Sequence, residues 1–201
     1  MLTPTIQIEL PAWLKEILVT NNLVFPTPED QMRFVISLAQ KNIHFATGGP
    51  FAAAIFDIGT GRLISAGVNM VTTLGLSIAH AEIISIMQAQ AILGNFDLGS
   101  VSLPGCVLVS STECCAMCLG AVPWSGVRAL VTGAKDEDAR AVGFDEGSKR
   151  EDWISELEKR GISVLTEVLR ADAAQVLQDY KRQGGKVYNS VVAIKRSPPS
   201  G

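Results

Sequence analysis

Two short segments constrain what this chain can fold into, because together they carry the side chains of one metal site. They are His80-Ala81-Glu82 and Cys115-Ala116-Met117-Cys118. Two thiolates and one neutral imidazole balance the charge of Zn²⁺ and leave one tetrahedral position open, which distinguishes a catalytic zinc site from a structural one. A fold that uses these residues must therefore bring position 80 next to positions 115 and 118.

Each motif taken alone has a simpler interpretation. A single histidine at the start of a buried helix is usually a hydrogen-bonded core residue, and a single Cys-x-x-Cys can be a redox pair or half of a structural zinc site. The combination is much less accidental, since the chain has only two histidines and four cysteines. We interpret Cys106 as a small core residue and His44 as structural.

Glu82 is the candidate for moving protons at this site. Water bound at the open position of zinc loses a proton near a pKa of about 7 instead of about 15.7. A carboxylate two residues from the histidine ligand could accept that proton and pass it on. We therefore predict that Glu82 acts in catalysis without binding the metal.

The local pattern places both motifs at helix starts. Apolar residues recur at helical intervals from Ala79 to Gly94, which predicts that His80 and Glu82 lie in the first turn of a buried helix. Cys115 and Cys118, at i and i+3, are predicted on one face of a second helix. Each helix follows an apolar strand-like run, residues 62–69 and 106–110.

The remaining pattern predicts an α/β fold. The elements expected are a helix beginning at Thr27, strands over Phe51–Phe56, Val127–Thr132 and Ile162–Leu165, helices over Trp153–Lys159 and Leu169–Tyr180, and an extended tail after Gly184-Gly185. Their order implies a three-layer α/β/α sandwich around a mixed five-stranded sheet.

Composition favours one enzyme domain acting on a small molecule. At 201 residues and 47% hydrophobic, the chain is expected to form a single domain, 1–201, with an N-terminal extension over 1–26 and a C-terminal tail over 184–201. We expect no signal peptide and no membrane span, and cysteines at metal spacing predict a reducing, cytoplasmic location. A net charge of -3 argues against a nucleic-acid partner and favours a small neutral substrate.

The two motifs resemble the signature of zinc nucleobase deaminases, His-x-Glu with a later Pro-Cys-x-x-Cys. The chain therefore resembles the cytidine-deaminase-like superfamily, which implies its fold and a zinc cofactor. Cys114 stands where the signature has proline. A helix can begin without that proline, but the extra thiol could pair with Cys118 or close the fourth zinc position.

Further motifs narrow the resemblance to the bacterial guanine deaminase branch. The segments that carry it are Gly48–Ala54, Gly120–Val127, Gly143–Gly147 and Val187–Asn189. That branch converts guanine to xanthine and ammonia, and some relatives accept the triazine ammeline. The resemblance also implies a homodimer. The apolar run within Lys186–Lys195 is expected to dock at or across the dimer interface.

The resemblance implies roles for individual residues. His80, Cys115 and Cys118 would bind zinc, Glu82 would shuttle protons, and Glu146 would be a second carboxylate that assists the leaving amine. The expected substrate contacts are Asn69, Phe51, Ala81, Trp124, Phe144 and Tyr188. From the residues alone, Asn69 could be a turn residue, Trp124 could be core, and Glu146, after Asp136, Glu137 and Asp138, would be solvated surface.

Three other functions remain open at this point. The same metal site occurs in tRNA adenosine deaminases, which need a basic surface that this acidic chain does not show. Deamination of another small ring, such as cytosine, a nucleoside, a pterin or a triazine, depends on pocket shape. A non-catalytic zinc-binding domain is the third alternative, against which Glu82 argues because a structural site needs no carboxylate beside it.

Overall fold

The protein is described by a computed structural model that covers residues 6–19 and 23–189. Eight helices and five strands lie in these ranges. The helices are α1 (Ala12–Val19), α2 (Pro28–His44), α3 (Val71–Leu74), α4 (Ala81–Leu93), α5 (Ala116–Ser125), α6 (Asp136–Val142), α7 (Trp153–Glu158) and α8 (Arg170–Arg182). The strands are β1 (Ala52–Asp57), β2 (Leu63–Val68), β3 (Cys106–Thr112), β4 (Ala129–Ala134) and β5 (Ser163–Leu165).

The strands form one mixed sheet in the order β2-β1-β3-β4-β5. β1 is antiparallel to both β2 and β3, whereas β3, β4 and β5 run parallel. Parallel neighbours need crossover connections, and α5 supplies the one from β3 to β4. The predicted mixed five-stranded sheet with helices on both sides is confirmed.

The interior strand β1 is buried on both faces. Ala52, Ala54 and Phe56 pack into the core beneath α2 and α8, whereas Ala53 and Ile55 pack into the core beneath α4 and α5. This alternation follows from the two-residue period of a strand. Three layers result, and the sheet is the middle one.

Three helices were not predicted from the sequence. α1 lies within the expected N-terminal extension, and its Leu14 is fully buried while Trp13 stacks on Phe45. α3 has only four residues. α6 begins at Asp136, in the acidic run that composition assigned to solvated surface.

The predicted boundaries agree with the structure to within one or two residues, with two informative differences. His80 and Cys115 are the N-cap residues of α4 and α5, so each lies just before its helix instead of inside the first turn. Cap residues have extended backbone angles, and the ψ values of 153° and 167° fit that position.

Among the residues that the structure describes, no helix combines the length and apolar character required to cross a bilayer. The predicted tail is described as far as Asn189. Residues 190–195 of the expected docking run lie outside the described part of the chain.

Candidate active site

A glycine on β2 sets the position of α4 and thus of His80. A Cβ atom at Gly67 would lie 2.4 Å from the carbonyl oxygen of Ala81 and 2.8 Å from the amide of Ser85. The first turn of α4 therefore rests directly on the strand backbone, which only glycine permits. Ser65 on the same strand donates a hydrogen bond of 2.7 Å to the carbonyl of Ser85.

The second helix start follows β3 at its carboxyl end. Ligand sites in open α/β sheets lie in this position. The amide of Leu119 donates to the carbonyl of Cys115 at 2.8 Å, which closes the first turn of α5. Cys115 lines the cavity at this helix start, whereas Cys118, three residues further along, is fully buried.

His80, Cys115 and Cys118 form the predicted metal group. Their ligand atoms all lie within 4.8 Å of one another, and His80 Nδ1 is 3.6 Å from Cys115 Sγ. Tetrahedral zinc with ordinary Zn–N and Zn–S distances separates two such ligand atoms by about 3.6 Å. The donor set and its spacing thus fit zinc with three protein ligands, the number found in catalytic sites.

The surroundings of the two cysteines shift the pKa values of their thiols in opposite directions. The hydrogen bond from Cys118, followed by that from His80, lowers the pKa of Cys115 to about 4. The same bond to Cys115 and burial raise the pKa of Cys118. Deprotonation is therefore easier at Cys115 than at Cys118, and both thiols must lose their protons to bind zinc.

Glu82 is buried beside this group and is not part of it. Its side chain lines the same cavity, and the residue is only 7% exposed. Burial, followed by the negative charge of Cys115, raises the pKa of the Glu82 carboxyl. A carboxyl with raised pKa can both accept and return a proton near neutral pH.

Glu146 lies in the same cavity, and the composition-based expectation of a solvated surface residue is wrong. The residue is 6% exposed, and burial, followed by the charge of Cys115, raises its pKa to about 8. Its carbonyl accepts a hydrogen bond of 2.9 Å from the amide of Ala116, the first residue of α5. The loop after α6 is therefore folded back onto the second helix start.

Aromatic rings form the wall of a cavity of about 360 Å³ above these groups. Phe51 and Phe144 meet edge to face with ring centroids 4.8 Å apart, and Phe144 meets Tyr188 in the same way at 5.2 Å. The Tyr188 hydroxyl is buried and has no hydrogen-bond partner among the described residues. A flat ring with polar edges suits a cavity of this composition.

Three predicted substrate contacts do not line the cavity. Asn69 is buried just behind it, where its Oδ1 accepts from the amide of Val71 at 3.3 Å, and Val71 does line it. Ala81 is fully buried in the first turn of α4. Trp124 is 87% exposed near the end of α5, so it is neither core nor brought to the cavity of this chain.

The other cysteines and the second histidine stay outside the metal group. All four cysteines are free, so Cys114 forms no disulfide with Cys118. Cys114 is buried, and burial raises the pKa of its thiol well above the ordinary value. Cys106 is buried in β3 as expected, and His44 is exposed with its ring against Phe45.

Two residues around the site were given no individual role from the sequence. Asn189 accepts from the amide of Asp145 and donates to the carbonyl of Gly143, both at 2.9 Å, and so fastens the tail to the loop that carries Glu146. The side chain of Lys149 is only 9% exposed although it lies in the polar run 147–152. The family motif Val187–Asn189 pointed to Asn189, whereas nothing in the sequence distinguishes Lys149.

A histidine and two cysteines around an open metal position, with two buried carboxylates that are not ligands, define a zinc-dependent hydrolytic deaminase. The chain belongs to the family defined by the cytidine and deoxycytidylate deaminase zinc-binding region, which matches residues 26–134.

Known relatives include guanine deaminases. The chain is 36% identical over 118 residues to the guanine deaminase of Bacillus subtilis, a match that covers 59% of this chain and 71% of that protein. A solved guanine deaminase from Nitrosomonas europaea is 44% identical, with a TM-score of 0.86 over 90% of this chain and 99% of that one. A protein solved in complex with 2,6-diaminopurine is 46% identical, with a TM-score of 0.86 over 91% and 96%.

Proposed function

We propose that this enzyme converts guanine and water to xanthine and ammonia. The observation that carries the proposal is a single cavity in which the metal group, Glu82 and Glu146 lie beneath three aromatic rings. Its volume of about 360 Å³ is near the lower end of the range for small-molecule sites. The likeness to guanine deaminases from two bacteria supports the choice of base.

In this proposal, metal binding and proton transfer are carried out by different residues. His80, Cys115 and Cys118 would hold zinc, which would supply the Lewis acidity that activates water. Glu82 accepts the proton that water gives up, and it returns that proton to the ring nitrogen next to the carbon that bears the amine. The carbon gains the oxygen of water as the amine departs.

Glu146 serves as the second acid in this proposal. Its burial favours the neutral carboxylic acid, the form that can donate a proton to the leaving amine. The amine then departs as ammonia, and Glu146 regains a proton from the hydroxyl group that becomes the new carbonyl, so the two protons of water end on the ring and on ammonia. The position of Glu146 in the cavity with Glu82 supports this role.

The aromatic wall of the cavity and polar groups at the edge of the bound ring would select the base. Phe51, Phe144 and Tyr188 offer ring faces and edges to a flat heterocycle. Asn69 and the backbone of Ala81 remain our proposed partners for the purine edge. A site with fixed donors and acceptors rejects a mismatched ring because its own polar groups would stay unpaired.

A substrate panel tests the proposal. We expect kcat/KM for guanine to exceed that for guanosine, cytosine and ammeline, measured as ammonia release by the zinc-loaded protein. The variant Glu82→Gln, assayed in parallel, gives the background from contaminating deaminases. A clear preference for any of the other three substrates would refute guanine as the substrate.

We also propose that residues 1–201 act as one domain that forms a homodimer in the cytoplasm. Met117 and Trp124, seven residues apart on α5, are exposed apolar side chains that a second copy would cover. The four free cysteines support a reducing compartment. Light scattering tests the dimer, and a monomer in the wild type would contradict it.

A further inference from the structure

We propose that Lys149 is a positioning residue, whose ammonium holds the loop that carries Glu146 against the segment that carries the zinc ligand Cys115. The inference rests on the proposed function, in which Glu146 handles the proton of the leaving amine. Lys149 itself contacts neither the cavity nor the metal group among the described residues.

The ammonium of Lys149 reaches three groups on two other segments. It donates to the carbonyl of Cys114 at 3.0 Å, and it lies 2.6 Å from Asp136 Oδ1 and 3.7 Å from Glu113 Oε2. The two acidic residues are themselves connected, since the backbone amide of Asp136 donates to the carboxylate of Glu113 at 3.3 Å. One side chain thus joins the loop after α6 to both residues that immediately precede Cys115.

The burial of this lysine argues for a specific role. Its side chain is 9% exposed, whereas that of the neighbouring Arg150 is 71% exposed. Lysine is almost never fully buried unless it is paired, and a paired charge inside a protein stabilises the fold less than its contacts suggest, because both ions lose hydration. What the arrangement provides is a fixed relative position of the two segments.

The other hydrogen bonds that hold the loop do not connect it to the residues before Cys115. Asn189 holds the loop at positions 143 and 145, and Arg140 holds it by donating to the carbonyl of Gly147 at 2.7 Å. The bond from the Ala116 amide to Glu146 links the loop to the helix after Cys115. Lys149 adds a connection between the loop and residues 113 and 114, which precede Cys115. The loop that carries Glu146 is therefore held to the chain on both sides of Cys115.

Loss of this contact would let the Glu146 carboxyl shift relative to the ligand segment. A displacement of about 1 Å in a reacting group can reduce turnover on the order of 10²-fold. Glu146 is proposed to act on the departing amine. The reduction in turnover should therefore appear in kcat, and KM should change little.

A double-mutant cycle separates positioning from plain stabilisation. The variants are Lys149→Met, Glu146→Gln and the two combined, each measured for kcat, KM and zinc content well below its unfolding temperature. We expect Lys149→Met to keep its zinc and to lose about tenfold or more in kcat. The combined variant should have the kcat of Glu146→Gln within about twofold, because groups that act through one another are not additive.

Lys159→Met is the matched control. Lys159 is 68% exposed and pairs with Glu156 at the surface, so this variant should turn over at the wild-type rate. Wild-type kcat in Lys149→Met, or a combined loss equal to the product of the two single losses, would overturn the inference. If Lys149→Met does not fold, Asp136→Asn replaces it in the same cycle with the same criteria.

Amide hydrogen exchange on the zinc-loaded protein gives a readout independent of activity. Lys149→Met should exchange faster than wild type over residues 113–116 and 143–149, and Lys159→Met should not. Failure of the wild type to release ammonia from guanine would count against the proposed function alone, and exchange would still decide the role of Lys149. Unchanged exchange in both segments would overturn that role.

Discussion

His80 Nδ1 and Cys115 Sγ lie 3.6 Å apart although each residue caps the N-terminus of a different helix. The two helices therefore point their positive ends at the same place. This field favours the thiolate form of Cys115 and its role as a metal ligand. Because the ligands stand on helix starts instead of flexible loops, the site requires little rearrangement to receive a metal ion.

Zinc content tests the ligand assignment. We expect about one zinc per chain, lost on replacing His80, Cys115 or Cys118 and retained in Cys114→Ser and Cys106→Ser. The reason is that Cys114 and Cys106 stand outside the metal group. Metal analysis of the purified variants is the measurement, and full zinc in Cys115→Ser together with loss in Cys114→Ser would move the assignment by one residue.

Substitution of Glu82 should separate metal binding from catalysis. Glu82→Gln keeps the shape of the side chain and removes a buried carboxyl, so zinc and fold should remain while kcat falls by a factor on the order of 10² to 10⁴. Glu158→Gln, at an exposed position on α7, is the control. Near-normal ammonia release by Glu82→Gln would rule out the proposed proton transfer.

Truncation should reveal the contribution of the tail. A chain that ends at Gly185 lacks Tyr188 from the cavity wall and Asn189 from the loop that carries Glu146. We expect lower kcat/KM with zinc retained, and a chain that ends at Lys195 serves as the comparison. Equal turnover of the Gly185 truncation and the full chain would show that the tail has no such role.

Asp138 should make stability depend on pH. Arg170 donates two hydrogen bonds to this carboxylate, at 2.9 and 3.2 Å, and thereby lowers the pKa of Asp138. A pKa lowered on folding gives stability that is present above the unfolded-state value of about 3.9 and is lost as the pH falls through the folded-state value.

The matching variant is Asp138→Asn. At pH 7 its Tm should be lower than that of wild type by about 2–4 °C, and the difference should shrink below pH 4. Glu151→Gln, at an exposed position without an ion pair among the described residues, controls for loss of one negative charge. A difference that stays constant from pH 7 to pH 3 would contradict the assignment.

The sequence predicts those parts of the site whose residues form a recognisable pattern within a short segment of the chain. The metal ligands and Glu82 follow from spacing and from helical periodicity, and the sheet follows from apolar runs. Helix α6 was missed because its acidic first turn resembles a solvated loop, although Asp138 completes a capping arrangement by accepting from the amide of Lys135 at 2.8 Å.

The remaining features depend on contacts between distant segments. Composition places Glu146 at the surface, but Glu146 is buried because the loop after α6 folds onto the start of α5. The same fold covers most of the side chain of Lys149. Trp124 shows the opposite error, since an aromatic side chain in an apolar helix is expected to be covered, and here it is exposed. Only tertiary structure distinguishes these cases.

The placement of Tyr188 in the cavity wall has a consequence for how the enzyme matures. The zinc ligands all lie between positions 80 and 118, whereas the wall is completed by residues at the end of the described chain. As the chain leaves the ribosome, the metal ligands emerge well before the tyrosine that encloses the space above them. The ligand set is therefore complete without the tail, and what the tail adds is the enclosure of the space above it.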